Sequence, residues 1–331
     1  MILKKKNKFN IILNEIDKLY GKGTVLHFGK MIKKKISTIS TGSMILDIAL
    51  GIGGYPKGRI IEIFGSESSG KTTLALHAIV ECQKNGGNCA FIDVEHSLDI
   101  NYAKKIGINI NCLTFSQPNS GEQALEVSNI LIESKFINLI VIDSVASLIP
   151  KAEIEGNIGN NHIGLQARLM SQALRKLIIN ISKTNTILIF TNQIRIKIGL
   201  IFGNSETTAG GNALKFYSSV RIEMKKTAII KNNEYIIGNS TKVKIVKNKL
   251  SSPLKIIELD FIYGNGITYI NEILNLAILI NILKKSGFWY FYKNTKIAQG
   301  KINMRHYLIN NHRLFYLVKE HIIRLFNKEK L

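Results

Sequence analysis

Residues 65–73, Gly-Ser-Glu-Ser-Ser-Gly-Lys-Thr-Thr, constrain this chain more than any other stretch. They satisfy every defined position of the phosphate-binding pattern G-x-x-x-x-G-K-S/T, at Gly65, Gly70, Lys71 and Thr72. The flanks agree with the motif. Residues 59–64 are rich in β-branched side chains and are expected to form a buried strand, and 71–82 carry Leu74, Ala78 and Ile79 at helical spacing. A strand, a glycine turn and a helix start bring successive N–H groups and the positive helix end around a phosphate chain. Lys71 is expected to neutralise the β- and γ-phosphates and the Thr72 hydroxyl to hold Mg²⁺, with Ser66, Glu67, Ser68, Ser69 and Thr73 completing the cradle. A Gly/Ser-rich surface turn ending in a helix cap would share the composition but not both flanks. This is a nucleotide-binding loop.

The chain has 331 residues, enough for two domains or for one large core with an appendage. Its 45% hydrophobic and 21% charged content is that of a globular protein, not a disordered one. The net charge of +22 and pI near 9.8 suggest a polyanionic partner, either nucleic acid or an anionic membrane surface. The richness in Lys, Ile and Asn would equally follow from an AT-biased genome. The cysteines Cys82, Cys89 and Cys112 form no metal-binding spacing and are expected to be small buried residues of a reducing compartment. The start lacks a signal-peptide core, and no stretch approaches the ~18 uninterrupted apolar residues of a membrane span, so a cytosolic location is expected.

In chain order, residues 1–8 are expected to be a frayed basic start, and 9–20 a helix with one apolar stripe, Ile12, Leu13, Ile16, Leu19 and Tyr20. So short a helix must dock that stripe elsewhere, such as on another subunit. A capped helix is expected over 41–50. Strands then alternate with helices: strands at 89–94, 137–142 and 186–190, helices at 122–133 and 165–181. Short strands at 219–224, 242–246 and 255–261 extend the sheet in mixed fashion. Past the turn 264–266 the pattern changes to a helix at 271–285, an aromatic strand-like stretch at 287–297 and mostly helix over 303–327, a small second domain. The expected class is α/β, a P-loop NTPase core with a central, mostly parallel, twisted sheet. An N-terminal helix (1–32) precedes the core (33–266), and a small α+β domain (267–331) follows it.

Asp143 closes the apolar run 137–142, where a P-loop ATPase holds Mg²⁺ through its water shell. Asp93 and Glu95 lie two apart at the end of another strand, so on a continued strand they share a face. One of them is expected to activate water, Glu95 lying nearer the carboxyl edge where ligands sit. Gln193 ends the run 186–193, where a neutral amide can bond a γ-phosphate. A long loop (194–211) follows it, mixing the cations Arg195 and Lys197 with the apolar wedges Ile198, Ile201 and Phe202. Such a mixture suits single-stranded nucleic acid and links the phosphate mechanically to a polymer. The loop 155–164 has a similar character, His162 being a polar loop residue there. Lys242, Lys244, Lys247 and Lys249 punctuate one strand; a solvated face or a functional pair at Lys247 and Lys249 fits equally.

Taken together these stretches resemble the bacterial RecA family of recombinases over roughly residues 9–326. The resemblance is carried by Ser-Thr-Gly-Ser-Met-Ile-Leu-Asp-Ile-Ala-Leu-Gly (40–51), the phosphate loop, Phe-Ile-Asp-Val-Glu-His-Ser-Leu-Asp (91–99) and Ser-Gln-Pro-Asn-Ser-Gly-Glu-Gln-Ala-Leu-Glu (116–126). Lys-Ala-Glu-Ile-Glu-Gly (151–156), Ala-Gly-Gly-Asn-Ala-Leu-Lys-Phe-Tyr (209–217) and Val-Lys-Asn-Lys (246–249) add to it. The resemblance implies that Glu95 activates water, with Lys71 and Gln193 as catalytic partners, and that Asp99 and Tyr102 contact adenine. It further implies that Gln193 couples ATP to DNA and that 155–164 and 194–211 are DNA-binding loops. Arg168, Arg195, Lys197, Ile198, Phe202, Gly210, Gly211 and Asn212 would carry the DNA contacts. Lys247 and Lys249 would reach a neighbour's γ-phosphate, Tyr263 would touch that neighbour's nucleotide, and Phe216 would lie in the interface. The N-terminal helix would dock on the adjacent protomer, and Lys285 and Lys301 would help gather duplex DNA.

The family implies ATP and Mg²⁺ as cofactors. It also implies single- and double-stranded DNA, further copies of the chain in a helical filament, and a LexA-type repressor as partners. Two departures stand out. Ser66 replaces the family's proline, which loosens the loop but removes no phosphate ligand. The chain ends at Lys-Glu-Lys-Leu without the family's acidic tail, from which tighter, less regulated duplex binding is expected. The expected activity is a DNA-dependent ATPase that forms filaments on single strands and catalyses homologous pairing and strand exchange. The rivals are a ring helicase motor on the same core and a filament coat with a decayed ATPase, which intact Lys71, Glu95 and Asp143 disfavour. Membrane-surface binding is disfavoured because the charge is scattered, not gathered on one face.

Overall fold

A computed structural model of the chain describes residues 2–21, 24–25, 36–157, 162, 164–196, 206–232 and 234–328. Its contacts divide it into two units, 1–37 and 38–331. In the first unit the helix runs Ile2–Tyr20, so the expected frayed start is helical from Ile2 onward. None of its apolar stripe is buried, Leu19 and Tyr20 each being 75% exposed.

The second unit is organised by a ten-stranded sheet. From one edge the order is Gly266–Ile267, Ile256–Ile262, Tyr235–Asn248, Val220–Asn232, Ile60–Gly65, Ile187–Ile196, Leu139–Asp143, Cys89–Asp93 and Leu113–Ser116, with Glu206–Thr208 paired to Ile187–Ile196 off this path. From Val220–Asn232 through Leu113–Ser116 every pairing is parallel. The pairings from Val220–Asn232 outward to Gly266–Ile267 are antiparallel.

The parallel strands are continuously apolar because both faces are covered. Alternation sends Ile61, Ile63, Phe91, Leu139, Val141, Ile187 and Ile189 to one face, where the helix Lys71–Lys84 packs. It sends Ile60, Ile92, Ile140, Ile142, Leu188 and Phe190 to the other, against the helices Gly121–Glu133 and Leu165–Thr184. Parallel strands share an end, so the loops after Gly65, Asp93 and Asp143 and the outer part of Ile187–Ile196 all meet at one carboxyl edge.

Several expectations are corrected in detail. The strand expected over 186–190 continues to Ile196, and Ile194–Ile196 pairs antiparallel with Glu206–Thr208. The base of the expected 194–211 loop is therefore a hairpin stem. The short strands expected at 219–224 and 242–246 are halves of one long hairpin, Val220–Asn232 and Tyr235–Asn248. The helix expected over 271–285 ends at Leu279, and Leu283–Ser286 is a strand, paired in a three-stranded antiparallel sheet with Trp289–Tyr292, which also pairs with Thr295–Gln299. Helix periodicity over 271–279 does not extend to Lys284, Lys285 and Ser286, whose side chains are exposed. The helices Lys301–Asn310 and His312–Lys328 complete a separate apolar cluster with Tyr269–Leu279 and this small sheet. Cys82 and Cys89 are buried as expected, but Cys112 is exposed because it closes a short surface turn. Among the described residues no helix is long and apolar enough to cross a membrane.

Candidate functional site

Gly65, at the end of its strand, must be glycine for a local reason. A Cβ there would lie 2.0 Å from the Met224 carbonyl oxygen of the adjacent strand. The loop then turns so that Gly70 opens the helix Lys71–Lys84. Within the turn the Ser69 hydroxyl donates to Ser66 O at 2.8 Å. The antiparallel half of the sheet braces it from outside: Asn239 Nδ2 donates to Ser68 O at 3.2 Å and the Thr241 hydroxyl to Ser69 O at 3.3 Å. Glu67 stays exposed. Lys71 Nζ donates to the loop carbonyls of Ser66 and Gly65 at 2.8 and 3.3 Å, which folds its ammonium back over the cradle. Burial pulls the Lys71 pKa below its ordinary value, opposed by the charges of Asp143, Glu95 and Glu67.

Thr72 and Asp143, expected to share a cation, are brought together. The Thr72 hydroxyl donates to Asp143 Oδ2 at 2.6 Å, and the Thr191 hydroxyl donates to Oδ1. Burial pushes the Asp143 carboxyl up while these two hydrogen bonds draw it back, and the nearby Glu95 and Asp93 charges push it further up. Among the described residues no group of three or more His, Cys, Asp and Glu side chains could hold a metal on its own.

The two candidate bases separate. Asp93 is 1% exposed, and its carboxylate accepts from Ser97 N, Leu98 N and Gln117 Nε2 at 3.2–3.3 Å, so it organises the turn after its strand. The strand stops at Asp93, and the alternation expected to place both carboxylates on one face does not continue. Glu95 is exposed at the carboxyl edge. The Ser144 hydroxyl donates to its Oε1, and Gln193 Nε2 reaches the same oxygen at 3.4 Å. The Gln193 side chain is itself exposed on the strand that continues past the sheet edge towards Arg195.

Asp99 caps the helix Ile100–Ile106, accepting from Asn101 N and Tyr102 N at 2.8 and 3.2 Å. The Tyr102 hydroxyl then meets Thr73 Oγ1 at 2.9 Å, which sets the ring beside the phosphate-loop helix. Tyr263 is 55% exposed, two residues past Phe261, whose ring packs against Gly70.

Other predicted residues gather elsewhere. Lys247 Nζ donates to Lys215 O and Phe216 O at 2.6 and 3.0 Å, and Lys249 Nζ to Phe216 O at 3.3 Å. The two lysines do point the same way, but toward the end of the helix Ala213–Tyr217. Burial lowers the Lys247 pKa, and the Lys249 and Arg221 charges lower it further. Phe216 is 72% exposed beside them. Arg168, in the first turn of Leu165–Thr184, is exposed, as are Arg195 and Asn212. Gly210 and Gly211 return the chain against Val145 and Ala167; a Cβ on Gly210, at φ +81°, would lie 2.7 Å from Val145 Cγ1. Lys197, Ile198, Ile201 and Phe202 lie outside the described residues, as do 158–161 and 163 of the other loop. In the C-terminal part, Lys285 Nζ lies 5.9 Å from the Tyr290 ring centre and Lys301 Nζ 3.7 Å from Asp260 Oδ2.

Thr191 and Ser144 are site residues that sequence reasoning missed. Their signal was a polar side chain directly behind a mostly apolar run, Thr191 behind 187–190 and Ser144 behind 139–143. Missed too was Glu62, the one charged residue inside 60–65.

A phosphate cradle on the central strand, with a carboxylate-bearing strand end beside it, makes this chain a P-loop NTPase. Sequence comparison narrows the class. The family model for the RecA N-terminal domain matches residues 7–268, and that for the RecA C-terminal domain matches 271–327. The chain is 55% identical over 308 residues to Protein RecA of Legionella pneumophila (strain Corby), covering 93% of this chain and 88% of that one. It is 58% identical over 296 residues to Protein RecA of Rickettsia africae (strain ESF-5), covering 89% and 86%. Against Protein RecA of Enterococcus gallinarum it is 54% identical over 304 residues, covering 92% and 87%. The chain belongs to the RecA family, and its function is that of a recombinase in DNA recombination and repair.

Proposed function

We propose that the protein is a DNA-dependent ATPase that assembles on single-stranded DNA as a helical homo-oligomer and carries out homologous pairing and strand exchange. The observation that carries this reading is the contact between Gln193 and Glu95. One residue of the pair is the expected general base, exposed at the carboxyl edge, and the other lies on the strand that leads into an expected DNA loop. Gln193 Nε2 has two N–H donors, so it can bond Glu95 and a terminal phosphate oxygen together.

In this reading the phosphate-loop backbone and Lys71 hold the β- and γ-phosphates in line with an attacking water. Glu95 takes the water proton as the new P–O bond forms, with Ser144 holding the carboxylate in place. The γ-phosphate leaves with the attacking oxygen, and ADP carries away the other bond's electrons. Loss of the γ-phosphate removes one partner of Gln193 and biases the strand and loop toward release of DNA. Thr72 and Asp143 supply the oxygen donors that suit Mg²⁺, which would offset charge on the phosphates. Phosphate and water oxygens would complete its shell.

ATP would sit between subunits. Asp99, Tyr102 and the 65–73 loop would bind it from one protomer, and Lys247, Lys249 and Tyr263 from the next, with Phe216 and the N-terminal helix in the interface. Arg168, Arg195, Lys197, Ile198, Phe202, Gly210, Gly211 and Asn212 would grip the single strand, and Lys285 and Lys301 of the 267–331 part would gather duplex DNA. A cytoplasmic location and a LexA-type repressor partner in a damage response complete the proposal.

The test is ATP hydrolysis with and without single-stranded DNA, joined to electron-microscope imaging of the particles. Stimulation by the strand together with helical filaments supports the reading. Rings that unwind duplex without need of homology would replace it with a helicase motor, and Lys71→Ala retaining full turnover would overturn the site assignment.

A further inference from the structure

Glu62 is wholly buried on the middle of the phosphate-loop strand, in register with Phe190 on one neighbouring strand and Arg221 on the other. A carboxylate there is costly unless every lone pair is met. Its Oε2 accepts from Arg221 Nε at 2.6 Å, and the Arg221 side chain is only 12% exposed, its guanidinium lying 4.6 Å from the Phe64 ring centre. Its Oε1 accepts from Asn192 Nδ2 at 2.9 Å. Asn192 is buried too, and both of its amide atoms are engaged: Nδ2 also donates to Ala209 O at 3.0 Å, while Oδ1 accepts from Gln193 N at 2.9 Å. Arg221 is paired across the hairpin with Lys247, and its charge depresses the Lys247 ammonium.

One buried carboxylate thus joins Asn192 and Arg221, which stand on the two neighbouring strands. Through Asn192 it fixes the backbone of Gln193 and the carbonyl just ahead of Gly210 and Gly211. Through Arg221 it adjoins Lys247, which grips the end of the helix carrying Phe216. A buried ion pair adds little net stability over an apolar pair of equal volume, so stability alone gives no reason for it. We propose that Glu62 is a positioning residue that locks Gln193 to the return of the 194–211 loop, so that nucleotide state and DNA grip change together. This rests on the DNA-dependent reading above.

The test measures single-strand affinity with a non-hydrolysable ATP analogue and with ADP, and takes their ratio. The wild-type ratio decides the reading above independently, since a ratio near one there would sink that reading and not this residue. Given wild-type discrimination, Glu62→Ala is expected to bind the ATP analogue within about twofold of wild type but to lose about tenfold of the ratio, a size common for coupling between sites. Glu62→Gln combined with Arg221→Met keeps an acceptor for Asn192 and leaves no unpaired cation buried, so it is expected to recover most of the ratio. That recovery distinguishes positioning of Asn192 from mere packing. If Glu62→Ala does not fold, Asn192→Ala, which leaves the Glu62–Arg221 pair intact, is expected to show the same tenfold loss. A folded Glu62→Ala or Asn192→Ala with the wild-type ratio would overturn the proposal, as would a double variant no better than Glu62→Ala.

Discussion

Two carboxylates two residues apart do different work here because one strand ends between them. Asp93 is buried and accepts three hydrogen bonds that shape the following turn. Glu95 is exposed beside Gln193 and Ser144. Glu95→Gln is therefore expected to lower ATP turnover by about 10²-fold or more, the usual size of a lost general base, with nucleotide affinity little changed. Asp93→Asn is expected to act first on stability, by about 1–3 kcal/mol, since it disturbs buried hydrogen bonds. Steady-state hydrolysis, nucleotide titration and urea unfolding of both variants check this; equal loss of turnover without loss of stability in Asp93→Asn would reopen the choice of base. Sequence spacing left the two carboxylates as alternatives, because which strand residue is last depends on the partner strands and not on the local string.

At the scale of elements, the helix Met44–Ala49 meets Tyr269–Leu279 through Glu272. The Ser43 hydroxyl donates to Glu272 Oε1, and Met44 N donates to Oε2 at 2.9 Å. Burial pushes Glu272 up from 4.5 to about 7 and Asp47, in the same short helix, up from 3.8 to about 6. A carboxyl whose folded pKa is raised binds a proton that the unfolded chain has already released, so stability is lost as pH rises between the two values. Unfolding free energy is expected to fall from about pH 4, where Asp47 begins to contribute, to about pH 7, by roughly 3 kcal/mol from Glu272, and to level off above. Glu272→Gln should flatten that slope in urea titrations across the range; an unchanged slope would assign it to other groups. This contact was invisible in the sequence because its partners are some 230 positions apart, with nothing local to mark them. The helices Lys71–Lys84 and Gly121–Glu133 were legible to within a residue or two, since their apolar spacing and capping are local. The long hairpin was read as two short strands, because its exposed stretch 225–229, with Lys225 and Lys226, lacks the apolar run that marks a buried strand.

For the whole molecule the net charge of +22 has two competing explanations, a polyanion partner and a compositional bias. They differ in salt dependence. If the cations neutralise backbone phosphates, single-strand affinity with an ATP analogue is expected to fall by roughly 300-fold between ~50 and ~200 mM salt, as for about six contacts on a single strand. A shallow slope would leave the lysine excess to composition. By itself the sequence determined the chemistry of the nucleotide loop, the strand-end Asp143 and the family, because a phosphate cradle is built from contiguous backbone and needs no distant partner. Only the tertiary structure decided that Asp93 is tied into the turn after its strand while Glu95 meets Gln193 and Ser144 at the edge, that Thr191 and Ser144 brace the site, and that Glu62, Asn192 and Arg221 lock together beneath it. Those are matters of register between strands far apart in the chain, which side-chain pattern alone does not specify.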